Sequence, residues 1–194
     1  MRYRLLKTML FTAILLSVLV PLAGLTGTVI AQERATVVRI SPQTLTVNPG
    51  DVFTVEVWVD DVLDLYGVDI QLAFPAGALE VVDPNPGTLA LEITPRYDLL
   101  QPDSILQRSA NNGTGTIGYI VTQLSPTPPA SGSGALFEFQ FRALASGTHA
   151  ITFTNHQLAA IGGVPIGHTV QGASYTVTGN VTPTHRYFLP LITH

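Results

Sequence analysis

A two-residue hydrophobic period recurs along this chain, and no stretch carries a convincing helical period. In "VFTVEVWVD", residues 52–60, Phe53, Val55, Val57 and Val59 fall on one side and Thr54, Glu56, Trp58 and Asp60 on the other. In "GVDIQLAF", residues 67–74, Val68, Ile70, Leu72 and Phe74 oppose Asp69, Gln71 and Ala73. In "ALFEFQFRAL", residues 135–144, Phe137, Phe139 and Phe141 oppose Glu138, Gln140 and Arg142. Successive side chains of a strand point to opposite faces, so this alternation specifies half-buried strands. Shorter β-prone runs lie at 37–40, 44–47, 79–82, 104–108, 116–124, 148–155 and 173–178. Turn signals punctuate them, among them Asn48-Pro49-Gly50-Asp51, Asp83-Pro84-Asn85-Pro86-Gly87 and Ser146-Gly147. Residues 88–115 carry the weakest pattern. The reading is all-β: an antiparallel sandwich of about nine strands, with no helical crossovers to support a parallel sheet.

The first residues have a different character. Arg2, Arg4 and Lys7 precede a charge-free run to Gln32, mostly Leu, Val, Ile, Ala and Phe, with Val29 and Ala31 two apart at its end. This is the pattern of a secretory signal peptide cleaved after Ala31; the alternative is an uncleaved membrane anchor. The expected organisation is a signal peptide over 1–31, one β-sandwich domain over 32–178, and a linker with an apolar tail over 179–194. Removing 1–31 leaves 163 residues, with six Arg, no Lys and 13 acidic residues, a formal charge of −7. An acidic, lysine-free domain is a poor partner for nucleic acid or anionic lipid. Any membrane contact is expected only through the signal segment. The chain has no Cys, which excludes disulfide staples and thiol chemistry. Export places the protein outside the cell or on its surface, in a bacterial setting.

No catalytic motif stands out. There is no G-x-S-x-G elbow and no H-E-x-x-H. The five His (His149, His156, His168, His185 and His194) show no metal-ligand spacing. The domain is therefore read as non-enzymatic, with no cofactor. Asp60, Asp61 and Asp64 are weak calcium candidates; they lack the spacing of an EF-hand loop, and the favoured reading is a solvated acidic loop between two strands. Trp58, the only Trp, lies on the polar side of its strand, either as a sugar-stacking platform or under cover from a neighbouring loop. Asn112-Gly113-Thr114 and Asn180-Val181-Thr182 match the glycosylation sequon, which in a bacterial chain reads as turn composition. The tail "RYFLPLITH" is either an edge strand or a segment read by export machinery.

From about residue 36 to 181 the chain resembles the cohesin family, within a wider superfamily that includes cellulose-binding modules. "NPGDVFTVEVWVDDV" (48–62) is similar to the family's opening turn and strand. "YGVDIQLAFPAGALEVVDPNPG" (66–87) is similar to its next two strands, and "GALFEFQFRALASGTHAITF" (134–153) to its late hairpin. One departure is visible: the family often has Asp-Pro after the aromatic, whereas Phe74 here is followed by Pro75-Ala76. The resemblance implies a nine-stranded jelly roll whose flat face binds dockerins, small calcium-binding modules of polysaccharide-degrading enzymes. It assigns Asp69 to that face as a partner-contacting residue, with Gln71 and Ala73 sharing its parity; the other reading of Asp69 is an ordinary solvated strand residue. Tyr119 and Gln123 belong to a strand expected beside it, their facing left open because both parities of 116–124 are apolar. The expected partner is a dockerin-like protein module or a polysaccharide. The competing readings are a carbohydrate-binding module of the same superfamily and a structural or adhesion domain.

Overall fold

The computed structural model describes residues 35–83 and 93–179. Its backbone is set by the same alternations. Val55, Val57 and Val59 are fully buried, as are Phe137 and Phe141, with Phe139 nearly so. They belong to two 14-residue strands, β3 (Val52–Leu65) and β9 (Ala130–Ala143), which pair antiparallel with Val55 opposite Phe139 and Val57 opposite Phe137. β1 (Val37–Ser41) and β5 (Leu79–Val82) flank this pair. β6 (Thr94–Pro95) adds to β9, and β11 (Thr169–Gln171) closes the far edge, giving the order β11-β1-β3-β9-β5.

The second sheet has the order β2-β12-β10-β4-β8-β7. Its strands are β2 (Thr44–Val47), β12 (Ala173–Val177), β10 (Gly147–Ala159), β4 (Gly67–Ala73), β8 (Thr116–Thr122) and β7 (Ser104–Asn111). β1 and β2 are separated only by Pro42 and Gln43 yet lie in different sheets. Proline ends the first ladder there because it has no N–H to donate. Tyr175 Oη, buried in the core, donates to Pro42 O at 2.9 Å and anchors this crossing.

The core is an aromatic column between the sheets. Phe137, Phe139 and Phe141 project from β9. Tyr119 meets Phe137 with ring centroids 4.6 Å apart, and Phe74 and Phe139 each meet Phe141 at 5.0 Å in edge-on geometry. Phe53 bridges Tyr175 at 5.1 Å and Phe141 at 6.0 Å. Such tilted and edge-on pairs add to the burial of apolar area.

The described residues form twelve strand segments where the sequence reading counted about nine. The segments without a counterpart among the runs read from the sequence are the short β6 and β11. Pairing is antiparallel except at the margins, where β1 with β11 and β2 with β12 are parallel. Residues 61–65, read as an acidic loop, continue β3. Asp61 and Asp64 adopt positive φ (53° and 55°) at register shifts, and their backbone N–H groups donate to Ser133 Oγ and Ser131 Oγ, each at 2.9 Å. Asp tolerates this conformation, and the serine hydroxyls replace the missing ladder acceptors. β9 likewise begins at Ala130, inside the stretch read as a loop over 125–134. The signal-peptide assignment, most of the Pro-Gly turn at 83–87, the second sequon and the C-terminal tail lie outside the described residues. Phe137→Ala removes the fully buried ring that links Tyr119 to the rest of the column and is expected to cost about 3–5 kcal/mol of stability, measured from the urea midpoint.

Candidate functional site

The outer face of β10-β4-β8-β7 follows from strand register. Residues paired across a ladder share a face, so each outward residue of β4 identifies its neighbours. One row runs Asn155, Gln71, Gly118, Ser109; the next runs Gln157, Asp69, Ile120, Gln107. Ala73 lies in the row above, between Thr152 and Thr116. In these rows Asp69 is the one carboxylate and Ile120 the one large aliphatic side chain, and the rest are amides, hydroxyls and small groups.

Gly118 makes the centre of this face flat. A Cβ there would sit 2.1 Å from Gln107 Nε2 and 2.7 Å from Gln71 Oε1, so both amides lie across the glycine backbone. Gln71 Nε2 donates to Asp69 Oδ1 at 3.0 Å and to Gln107 Oε1 at 3.2 Å. The carboxylate and two amides thus form a low layer, with one amide held between two acceptors.

The structure places the expected residues unequally. Asp69, Gln71 and Ala73 are half-buried and face outward on β4. Tyr119 and Gln123 do not join them. Tyr119 is 1% exposed and packs on Phe137, because β8 has sheet neighbours on both sides and Ile117, Tyr119 and Val121 supply its inner face. Gln123 is 3% exposed; its side-chain nitrogen is placed to donate to Leu65 O at 3.2 Å and Pro128 O at 3.3 Å, tying the end of β3 to the proline-rich loop. Both are structural residues, and Ile120 and Thr122 take the outward positions. Asn155, Gln157, Gln107 and Gly118 were missed. Gly118 did carry a signal, since an isolated glycine within a strand marks a close approach.

The outer face of the other sheet is charged and internally paired. Arg39 Nε donates to Asp60 Oδ2 at 2.6 Å, and the Arg39 guanidinium lies 5.3 Å from the Trp58 ring centroid. Trp58 Nε1 donates to Glu56 Oε2 at 2.8 Å. Arg96 reaches Glu138 at 2.8 Å, Asp98 at 3.2 Å and Glu56 at 3.4 Å. The Trp58 ring thus has an arginine of the neighbouring strand β1 beside it. Asp60 is engaged by Arg39, whereas Asp61 and Asp64 sit at separate bulges. Among the described residues no group of three or more His, Cys, Asp or Glu converges to hold a metal ion, and Asp60, Asp61 and Asp64 do not come together as such a group.

Two sheets packed around an aromatic core, with one flat amide-bearing face, define a β-sandwich module. The chain belongs to the cohesin domain family, whose model matches residues 38–180. Among solved structures it is similar to a cohesin from Clostridium acetobutylicum (TM-score 0.58, 22% identity, covering 75% of this chain and 94% of that one). It is also similar to a chain of a type I cohesin–dockerin complex from Clostridium thermocellum (TM-score 0.60, 13% identity, 75% and 100% covered). A third is a non-cellulosomal cohesin from the archaeon Archaeoglobus fulgidus (TM-score 0.55, 18% identity, 75% and 93% covered). No curated protein matches the sequence.

Two measurements check this geometry. Gly118→Ala is expected to displace the Gln71 and Gln107 amides while changing stability by less than about 1 kcal/mol, because the obstructing atoms are ends of flexible side chains. Side-chain amide resonances and denaturant unfolding report the two effects separately. Burial, with a further contribution from Tyr97, pushes the Tyr119 hydroxyl up to about 12 against the opposing pull of Arg108, and burial raises Tyr175 as well. An unfolded Tyr ionises near about pH 10, so the stabilising difference is intact below that pH and is lost as pH climbs towards about 12. Two of the six tyrosines should then ionise only together with loss of the β signal, followed by tyrosinate absorbance and circular dichroism in one alkaline titration.

Proposed function

We propose that this protein is an exported, non-catalytic recognition module that binds a dockerin-like protein partner through the outer face of β10-β4-β8-β7. The observation that carries the reading is the flat layer of Asp69, Gln71 and Gln107 over Gly118, in a chain of the cohesin family. A partner helix can lie across such a surface without a protruding side chain to displace. Its hydrogen bonds exchange for those of weakly solvated amides rather than of a buried ion pair, so the desolvation penalty is modest. No row of aromatic side chains is present in the two central rows, which suits a protein partner better than a sugar chain. The C. thermocellum relative was solved in a cohesin–dockerin complex, which supports the same class of partner here. The N-terminal pattern of basic residues, apolar run and small residues supports an extracellular or cell-surface location, and a role in polysaccharide breakdown follows if the partner is carried by a degrading enzyme.

The face is tested by Asp69→Arg with Gln71→Arg. Both positions are half-exposed on the outer side of β4, so the variant should fold with an unchanged unfolding midpoint. Two long cations at the centre of the contact should weaken capture of dockerin-bearing proteins from the same source by at least about 2 kcal/mol, roughly 30-fold in Kd. Calorimetry against a purified dockerin gives the number. Undiminished binding by the folded double variant would place the contact elsewhere.

A further inference from the structure

Beyond Ala159 the chain turns through a 3-10 segment, Ile161–Gly163, and doubles back along the edge of β10. Ala159 and Pro165 form an antiparallel bridge. Ala160 N donates to Val164 O at 2.8 Å and Ile166 N to Leu158 O at 2.9 Å. His156 and His168 each lie three residues beyond this bridge, on β10 and on the returning segment. Their rings meet: His156 Nδ1 is 3.1 Å from His168 Nε2, with planes at 86° and centroids 5.2 Å apart.

The tautomer of His168 follows from its other nitrogen. Nδ1 lies 2.8 Å from Ile166 O, and a carbonyl oxygen only accepts, so Nδ1 carries the hydrogen. The Nε2 lone pair is then presented towards His156. A metal-ligating histidine has this arrangement, one nitrogen free and the other donating to a backbone carbonyl.

We propose that His156 and His168 form a two-histidine site for a borderline divalent transition-metal ion of the Zn²⁺, Ni²⁺ or Cu²⁺ class. Two nitrogens on one ion at about 2.0–2.1 Å lie about 2.8–3.4 Å apart at octahedral to tetrahedral angles, and the observed 3.1 Å falls within that range. Neutral imidazole selects this class of ion over Ca²⁺ and Mg²⁺, which prefer oxygen. His156 is exposed and opens onto a concavity of about 370 Å³ that Leu158, Pro165 and Ile166 also line, so water has room to complete the coordination shell. On binding, the hydrogen between the rings leaves His156 Nδ1, and His156 takes the Nε2–H tautomer by exchange with solvent. No net proton is lost. The ion then staples the returning strand to β10, independently of what the neighbouring flat face binds.

The test is titration of the purified protein with ZnCl₂ and with NiCl₂, followed by calorimetry and by imidazole proton resonances. One ion per chain is expected, with the resonances of His156 and His168 moving and that of His149 unmoved. His156→Gln and His168→Gln should each weaken binding at least about tenfold, while His185→Gln with His194→Gln should leave it unchanged and CaCl₂ should not compete. Because His168 also holds the loop through Ile166 O, the exposed His156 provides the variant that leaves the loop bonds in place. No saturable binding up to about 1 mM ion, or binding that survives in the folded His156→Gln, His168→Gln double variant, overturns the assignment.

Discussion

The long ladder between β3 and β9 is the interaction on which the rest of this structure depends. Its two 14-residue strands bring four valines (Val55, Val57, Val59 and Val62) and the phenylalanines Phe137, Phe139 and Phe141 into the space between the sheets. It has a neighbour on each side, β1 and β5, and its phenylalanines support Tyr119 and Phe74 on the opposite sheet. The ladder outlasts its regular register because Asp61 and Asp64 take up the surplus residues in left-handed turns that Ser133 and Ser131 satisfy. Without those bulges the acidic segment would leave the sheet, and the start of β9 would lose its partner.

The two outer faces of the sandwich solve the problem of solvation differently. On the β3–β9 side, charges pair with one another across strands, and an incoming partner has to break existing ion pairs. Exposed pairs of this kind add little stability, about 0–1 kcal/mol each, but they leave few groups seeking a partner. On the β4–β8 side, amides and hydroxyls surround a single carboxylate, with Ile120 among them. The absence of a side chain at Gly118 lowers the whole centre of that surface. The two faces therefore differ in charge, one laced with ion pairs and the other carrying a single carboxylate in its central rows.

Period-two alternation made β3, β4 and the Phe-rich part of β9 legible, because each has one wet and one dry face. It failed where that contrast vanishes. β8 is apolar on both parities, so the direction of Tyr119 was undetermined until its place inside the sheet was known. Gln123 has the composition of a surface residue yet is buried, since its amide substitutes for backbone partners at the end of β3. The His156–His168 contact was invisible because a 12-residue separation becomes a cross-strand pair only through a reversal at Gly162 and Gly163, both at φ 77°. The acidic run looked like a loop because nothing local announces that two serines more than 60 residues away will accept its N–H groups.

The two parallel pairs at the margins of the sheets have a mechanical meaning. β1 lies parallel to β11, and β2 lies parallel to β12 with Ser174 opposite Thr44 and Val177 opposite Val47. A pull that separates the start of β1 from the end of β12 therefore acts along the strands, loading the bonds of each ladder together in shear. An antiparallel closure at the same place would have presented them one at a time, to be peeled apart like a zipper.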